Sequence, residues 1–143
     1  MKYNEIYDDL FNVSEEYYLA HCISADAAMG AGIAVSFIKN FPQITTLRND
    51  KNLQSGQCVK IDRVFNLITK EKYWNKPTYD SLQQSLESAK NICIENNITK
   101  LAMPTIGCGI DQLNWDLVKS IILNIFKDTD MEILVVFFKQ KER

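Results

Sequence analysis

The sequence is short of most features that mark membrane, secreted or metal-binding proteins. Its longest apolar run, Ile133 to Phe138, falls far short of a bilayer span. The opening stretch Met1-Lys2-Tyr3-Asn4-Glu5 has no apolar h-region, so no secretory signal is expected. There are four cysteines, Cys22, Cys58, Cys93 and Cys108, and none forms a C-x-x-C pair, so no metal site is expected. An even count permits disulfides, but nothing else suggests a secreted scaffold. Free thiols in a reducing cytoplasm are expected. The formal net charge is only −2, so global attraction does not predict stable binding to bare nucleic acid or an acidic membrane. An anion bound here must be held by local geometry. A nucleic acid stays open as a substrate if one modified nucleotide enters the site. No cofactor is called for.

What is present suits one compact unit. A chain of 143 residues with 46% apolar content is long enough for a single domain, residues 1–143, with one good core. No repeat, low-complexity segment or linker interrupts it. No dimer seam is apparent, so a monomer is expected. Glycine is scarce, with five residues, but it gathers in two stretches, Met29-Gly30-Ala31-Gly32-Ile33 and Ile106-Gly107-Cys108-Gly109-Ile110-Asp111. Each precedes a segment with helical periodicity. Such loops turn backbone N–H groups toward an anion and let it approach where no Cβ stands. Two of them suggest a diphosphate held between them. The alternative is that Gly107 and Gly109 merely make a tight turn. Neither loop fits the P-loop pattern or the dinucleotide fingerprint.

The periodicity predicts an α/β fold. Tyr17 to Ile23 reads as a buried strand. Ile33, Ala34, Phe37, Ile38 and Phe41 fall at helical spacing, closed by Pro42. Gln57–Ile61 and Val64–Ile68 read as strands joined at Asp62-Arg63. Thr78 is a plausible N-cap for a helix whose apolar face is Leu82, Leu86, Ala89 and Cys93. Ile98–Met103 is a short strand. Leu117, Val118, Ile121, Ile122, Ile125 and Phe126 mark another helix. Ile133–Phe138 is apolar on both faces and therefore expected to be central and parallel. Strand, helix, strand, helix, strand in the second half implies right-handed crossovers on a largely parallel sheet. Ligands of open α/β sheets sit at the carboxyl ends of the strands, where both glycine loops and Lys70 are placed.

Four side-chain features carry candidate chemistry, each beside a plainer reading. Lys70 follows a strand and is either a solvated surface residue or a nucleophile. As a nucleophile it must be neutral, which costs about 4.6 kcal/mol at pH 7 from its ordinary value. Partial burial beside Lys72 reduces that cost. Asp111 ends the second glycine loop and either caps the next helix or does acid–base work beside the anion. Asp9, in Asp8-Asp9-Leu10-Phe11, either makes a turn or accepts from an exocyclic amine such as that of adenine. His21 and Cys108 raise the idea of a Cys–His hydrolase. His21, inside an apolar strand, reads rather as a core histidine, and Cys108 as small packing beneath a phosphate loop.

These residues together resemble the macrodomain family, which binds ADP-ribose. The blocks are Asp9-Leu10-Phe11, Ala20 to Ser24 with Met29 to Ala34, Leu67 to Lys70, Lys76-Pro77-Thr78-Tyr79, and Met103-Pro104 with Ile106 to Asp111. More narrowly they are similar to the lysine-dependent branch containing terminal ADP-ribose protein glycohydrolase and antitoxin macrodomains that act on ADP-ribosylated DNA. Ser24-Ala25-Asp26-Ala27-Ala28 stands where commoner branches have an asparagine-rich segment. The resemblance implies a mixed, mostly parallel sheet flanked by helices in three α/β/α layers. It implies that Asp9, with Leu10, meets the adenine. Ser24, Gly30, Gly32 and Ile33 would line the distal ribose and diphosphate, and Gly107, Cys108, Gly109 and Ile110 would form the second phosphate loop. Thr105 also falls in the binding set, standing where relatives often have arginine. Lys70 would be the nucleophile and Asp111 the catalytic aspartate. The implied activity is removal of ADP-ribose from a protein carboxylate or a DNA base. A non-catalytic reader and an enzyme acting on O-acetyl-ADP-ribose or ADP-ribose 1″-phosphate stay open beside it.

Overall fold

The computed structural model describes residues 1–138. Its strands are β1 (Lys2–Asp8), β2 (Tyr18–Ser24), β3 (Cys58–Ile61), β4 (Val64–Lys70), β5 (Lys100–Met103) and β6 (Glu132–Phe138). Its α-helices are α1 (Ile33–Asn40), α2 (Tyr79–Glu95) and α3 (Trp115–Phe126), with 3-10 turns at Leu10–Asn12 and Pro42–Asn49. One six-stranded sheet runs in the order β1-β6-β5-β2-β4-β3. Every pairing is parallel except β3 with β4. That antiparallel edge follows from the two-residue connection at Asp62-Arg63, where Asp62 takes φ 50°. Among the described residues, no helix is long and apolar enough to cross a membrane.

Alternation along the strands sends side chains into two cores, one on each face of the sheet. Ala20, Phe65, Leu67, Leu101 and Ile133 point to the side of α2 and α3. Leu19, Ile23, Val64, Ile68, Ala102 and Val136 point to the side of α1 and the 3-10 turns. The layers are therefore α/β/α. On α2, Leu82, Leu86, Ala89 and Cys93 are buried as their spacing predicts. Full burial of Leu82 and Leu86 contributes roughly 1.5–3 kcal/mol each. Thr78 caps the helix in a reciprocal box with Ser81. β6 lies between β1 and β5, parallel to both, which explains its apolar residues on both faces.

Two elements escape the periodicity. β1 has the polar sequence Lys-Tyr-Asn-Glu-Ile-Tyr-Asp, because an edge strand exposes most of its side chains. The chain beyond Pro42 does not stop being helical but continues as a 3-10 stretch that buries only Ile44 and Leu47.

His21 is a core residue. It is fully buried on the α1 face and stacks on Phe37 at 3.9 Å between centroids. Its Nε2–H donates to Asn66 Oδ1 at 2.7 Å, and Asn66 Nδ2 donates on to the Val59 carbonyl. Burial outweighs the Asn66 bond and pulls the imidazole from 6.5 down to about 4. Between those values the unfolded chain binds a proton that the folded chain refuses. Stability is full above pH 6.5 and falls as the pH drops toward 4, by about 1.4 kcal/mol per unit. Urea midpoints are expected to decline from pH 7.5 to 5 in the wild type and to flatten in His21→Gln. An unchanged decline in that variant would assign the slope elsewhere.

Candidate functional site

Chain direction creates the crevice. From β2 the path leads to β4 on one side; from β5 it leads to β6 on the other. α1 follows β2 on one face and α3 follows β5 on the opposite face. β2 and β5 are adjacent, yet they pair only at Tyr18–Leu101 and Leu19–Ala102. Their carboxyl halves are unpaired with one another. Such a switch point is where open α/β sheets bind ligands. A cavity of about 590 Å³ opens there, lined by Ser24, residues 28–34, Lys70, Tyr73, residues 104–107 and residues 109–111.

Both glycine loops line this cavity. The backbone N–H groups of Gly30, Ala31, Gly32, Gly109, Ile110 and Asp111 make no hydrogen bond to a described residue. Gly32 precedes α1 without a side-chain cap, so that helix offers its first N–H groups to the cavity. α3, in contrast, is capped by Asn114. The glycines divide by role. Gly32 has φ +63° and a Cβ there would stand 3.1 Å from Ile110 Cδ1, so the two loops meet. Gly107 has φ +72° and a Cβ there would stand 2.8 Å from Leu113 Cδ1. Gly30 and Gly109 have neither a positive φ nor any atom within 4 Å of an added Cβ. The fold does not require glycine at those two positions, and the missing Cβ leaves their backbone open to close approach from the cavity.

Two residues outside the glycine pattern fix the first loop. Asp26 accepts from Ser24 Oγ, from Ala28 N at 3.3 Å and from Tyr73 N at 3.1 Å. Burial raises the Asp26 carboxyl, but these bonds outweigh it and hold the group below its usual value. Arg48 donates to the carbonyls of Ala27 at 3.0 Å and Ala28 at 2.9 Å. Ala27 and Met29 have φ of 53° and 49°, a region costly for side chains with a Cβ. Periodicity gave no sign of Arg48, which lies in the polar 3-10 stretch. Asp26 lies in the segment Ser24 to Ala28, whose sequence alone gives it no role.

Lys70 and Asp111 meet across the crevice. Lys70 is the last residue of β4, one position inside the strand rather than beyond it. The β2–β4 register slips there, placing Ser24 opposite Lys70. Such irregularities re-aim side chains beside active sites. Lys70 Nζ stands 2.8 Å from Asp111 Oδ1, with the side chains only 13% and 15% exposed. Lys70 is therefore no solvated surface lysine, and Asp111 does not cap α3. Cys22 lines the cavity near both, and burial pushes its thiol up to about 12. It stays protonated at neutral pH.

Other sequence expectations fall beside the cavity or outside it. Cys108 does not line it; its thiol lies 3.3 Å from the Ile106 carbonyl, packs against the core, and is raised by burial. With His21 on the α1 face, no Cys–His pair exists between them. Asp9 is exposed and caps the 3-10 turn by accepting from Phe11 N at 2.9 Å, while Leu10 is buried. Neither lines the cavity. Both follow β1 at the same carboxyl edge of the sheet as the glycine loops.

Because Gly30 and Gly109 are free of backbone demands, Gly30→Ala and Gly109→Ala are expected to stay within about 1 kcal/mol of wild type in urea unfolding. Gly107→Ala is expected to lose about 1–3 kcal/mol. Equal losses at all three would contradict the division of roles.

Comparison with known proteins agrees with this architecture. The Macro domain family matches residues 20–122. ADP-ribose glycohydrolase OARD1 of Homo sapiens is 45% identical over 131 residues, covering 89% of the chain and 86% of that protein. Among solved structures, the macrodomain of Thermus aquaticus DarG aligns with TM-score 0.84 at 21% identity, covering 94% of the chain and 97% of its own. Thermosipho africanus DarTG in complex with ADP-ribose aligns with TM-score 0.76 at 17% identity, covering 95% of the chain and 41% of its own. With the family match spanning well over half of its length and a relative of such identity along most of it, the chain belongs to the macrodomain family.

Proposed function

We propose that this protein is an ADP-ribosyl glycohydrolase that removes mono-ADP-ribose from carboxylate side chains of proteins or from nucleobases in DNA. One observation carries the reading: an amine and a carboxylate 2.8 Å apart at the wall of a cavity between two loops of open N–H groups. The human relative is named as an ADP-ribose glycohydrolase, which supports the same reaction class.

The dimensions suit the ligand. β1 and β4 are four strand steps apart, so Asp9 and Lys70 are separated by roughly 19 Å along the sheet edge. An adenosine diphosphate linked to a second ribose extends over a comparable length. Asp9 accepts the adenine amine at one end, beside Leu10. The diphosphate lies between residues 30–33 and 107–110, and Ser24 and Thr105 face the distal ribose. Holding the sugar at both loops supplies proximity and orientation.

The reaction then needs one proton acceptor and one nucleophile. Lys70 passes a proton to Asp111, the carboxylate already in contact with it, and its lone pair attacks the anomeric carbon. The N–C bond forms as the bond from that carbon to the carboxylate oxygen or base nitrogen breaks, and the leaving group departs with the electron pair. Asp111 hands the proton it took to that departing oxygen or nitrogen and, a carboxylate again, takes a proton from water; the water oxygen adds to the anomeric carbon, and the Lys70 amine leaves and recovers its proton from Asp111. ADP-ribose is released and both side chains return to their starting state. No metal or redox group takes part.

Lys70→Ala is expected to abolish turnover while ADP-ribose still binds by calorimetry; full activity in that variant would remove the nucleophile. Asp111→Asn should lower kcat on the order of 10²–10⁴-fold. Gly30→Ala, which the fold tolerates, should weaken ADP-ribose binding about tenfold by placing a methyl group in the cavity.

A further inference from the structure

The cavity offers a dianion little charge of its own. Among the described residues, the only charged side chains that line it are Lys70 and Asp111, and they pair with one another. The whole chain carries a formal net charge of −2. A diphosphate taken out of water there needs positive charge from elsewhere. Two cations outside the lining stand behind the glycine loops, one at each.

Arg48 stands behind the first loop. Its guanidinium donates to two successive carbonyls, Ala27 at 3.0 Å and Ala28 at 2.9 Å. No cis peptide occurs among the described residues. In a planar trans peptide the C=O and the following N–H point in opposite directions. The N–H groups of Ala28 and Met29 therefore both face away from Arg48, as two neighbouring donors of the kind that forms an anion-binding nest. One is taken: Ala28 N donates to the Asp26 carboxylate at 3.3 Å. The other is open. Met29 N makes no hydrogen bond to a described residue, although Met29 is only 6% exposed and lines the cavity. The Ala27–Ala28 peptide runs from a guanidinium to a carboxylate. The Ala28–Met29 peptide has the same guanidinium and lacks the anion.

The second loop repeats the arrangement. Lys76 Nζ donates to the Ile110 carbonyl at 3.2 Å, and the N–H across that peptide, on Asp111, is open. Arg48 and Lys76 are both exposed, and neither forms an ion pair with a described residue. A cation bonded to a carbonyl polarises the peptide and strengthens the donor at its far side.

We propose that Arg48 and Lys76 are positioning residues for the diphosphate. They act from outside the cavity through the Ala28–Met29 and Ile110–Asp111 peptides, so that Met29 N and Asp111 N donate to phosphate oxygens from opposite loops. Each cation aims one peptide and lends it charge without touching the ligand. The inference rests on the ADP-ribose reading for the identity of the diphosphate, and inorganic pyrophosphate probes the two donors without that reading.

The test follows one amide together with affinity. Met29 is one of four methionines, so selective isotope labelling of methionine nitrogen isolates its amide signal. In wild type, ADP-ribose and pyrophosphate are each expected to move the Met29 amide proton downfield as it gains a charged acceptor. Arg48→Leu should abolish that move and weaken ADP-ribose binding roughly tenfold, about the worth of one hydrogen bond to a charged group. Lys76→Leu should weaken binding by a similar factor and leave the Met29 shift in place. Arg48→Lys keeps the charge and should recover much of the loss; it also keeps the test open if the leucine variant loses its loop. Added sodium chloride should cost each leucine variant less affinity than it costs wild type, because a charge subject to screening is gone. A merely structural support would leave that salt dependence unchanged. Full affinity in both leucine variants, a salt dependence equal to wild type, or a Met29 amide that stays put in wild type saturated with either ligand would overturn the proposal. Wild type that takes up pyrophosphate with the expected shift but takes up no ADP-ribose would defeat the ADP-ribose reading and support the two cations.

Discussion

A lysine ammonium and an aspartate carboxylate in contact at the edge of a parallel sheet, both mostly withdrawn from water, set the terms for the rest of this structure. The pair joins β4 to the loop after β5, across 41 residues of sequence and across the point where the chain changes direction. A charge withdrawn in this way needs its partner, because removing either one strands the other in a poorly solvated place. In the proposed reaction the same contact supplies the route by which a proton leaves the lysine. Structure and chemistry therefore depend on one distance.

The surroundings prepare that distance. The β2–β4 register slip sets Ser24 opposite Lys70. Asp26 connects the end of β2, the first glycine loop and the turn bearing Tyr73. Arg48 holds two carbonyls of a segment that has two residues with left-handed backbone. Lys76 reaches the second loop at Ile110, and Ile110 in turn touches Gly32 of the first. Each contact is modest. Together they hold open N–H groups around an empty volume, the condition under which preformed dipoles act on charge without reorganising.

Much of this was legible in the sequence because it depends on local patterns. Apolar spacing predicted α2 and the buried face at Leu82, Leu86, Ala89 and Cys93. Two glycine stretches after strands predicted loops at one rim, and the rim is where Lys70 and Asp111 stand. The apolar strand at 133–138 was expected to be parallel and internal, and it is. What escaped depends on partners distant in sequence. β1 is polar because its neighbour lies on one side only, so alternation could not reveal it. Arg48 acts through its reach to backbone carbonyls some twenty residues earlier, which no spacing rule encodes. Whether Asp111 capped a helix was undecidable until Asn114 proved to do so. Asp9 is a turn cap in this structure, and its meeting with adenine stays a proposal carried by its place on the sheet edge.

The proposed reaction turns on a bond between Lys70 and the sugar. Intact and peptide mass spectrometry of Asp111→Ala protein, quenched after exposure to an ADP-ribosylated substrate, measures that bond directly. Without Asp111 the poorly solvated lysine loses the charge that holds its proton and sheds it to water, whereas water attacking the adduct has no base, so release is expected to slow more than attack and to leave protein heavier by one ADP-ribosyl group located on Lys70. Substrate consumed with no added mass on the protein, or with the mass on any other residue, would contradict the account.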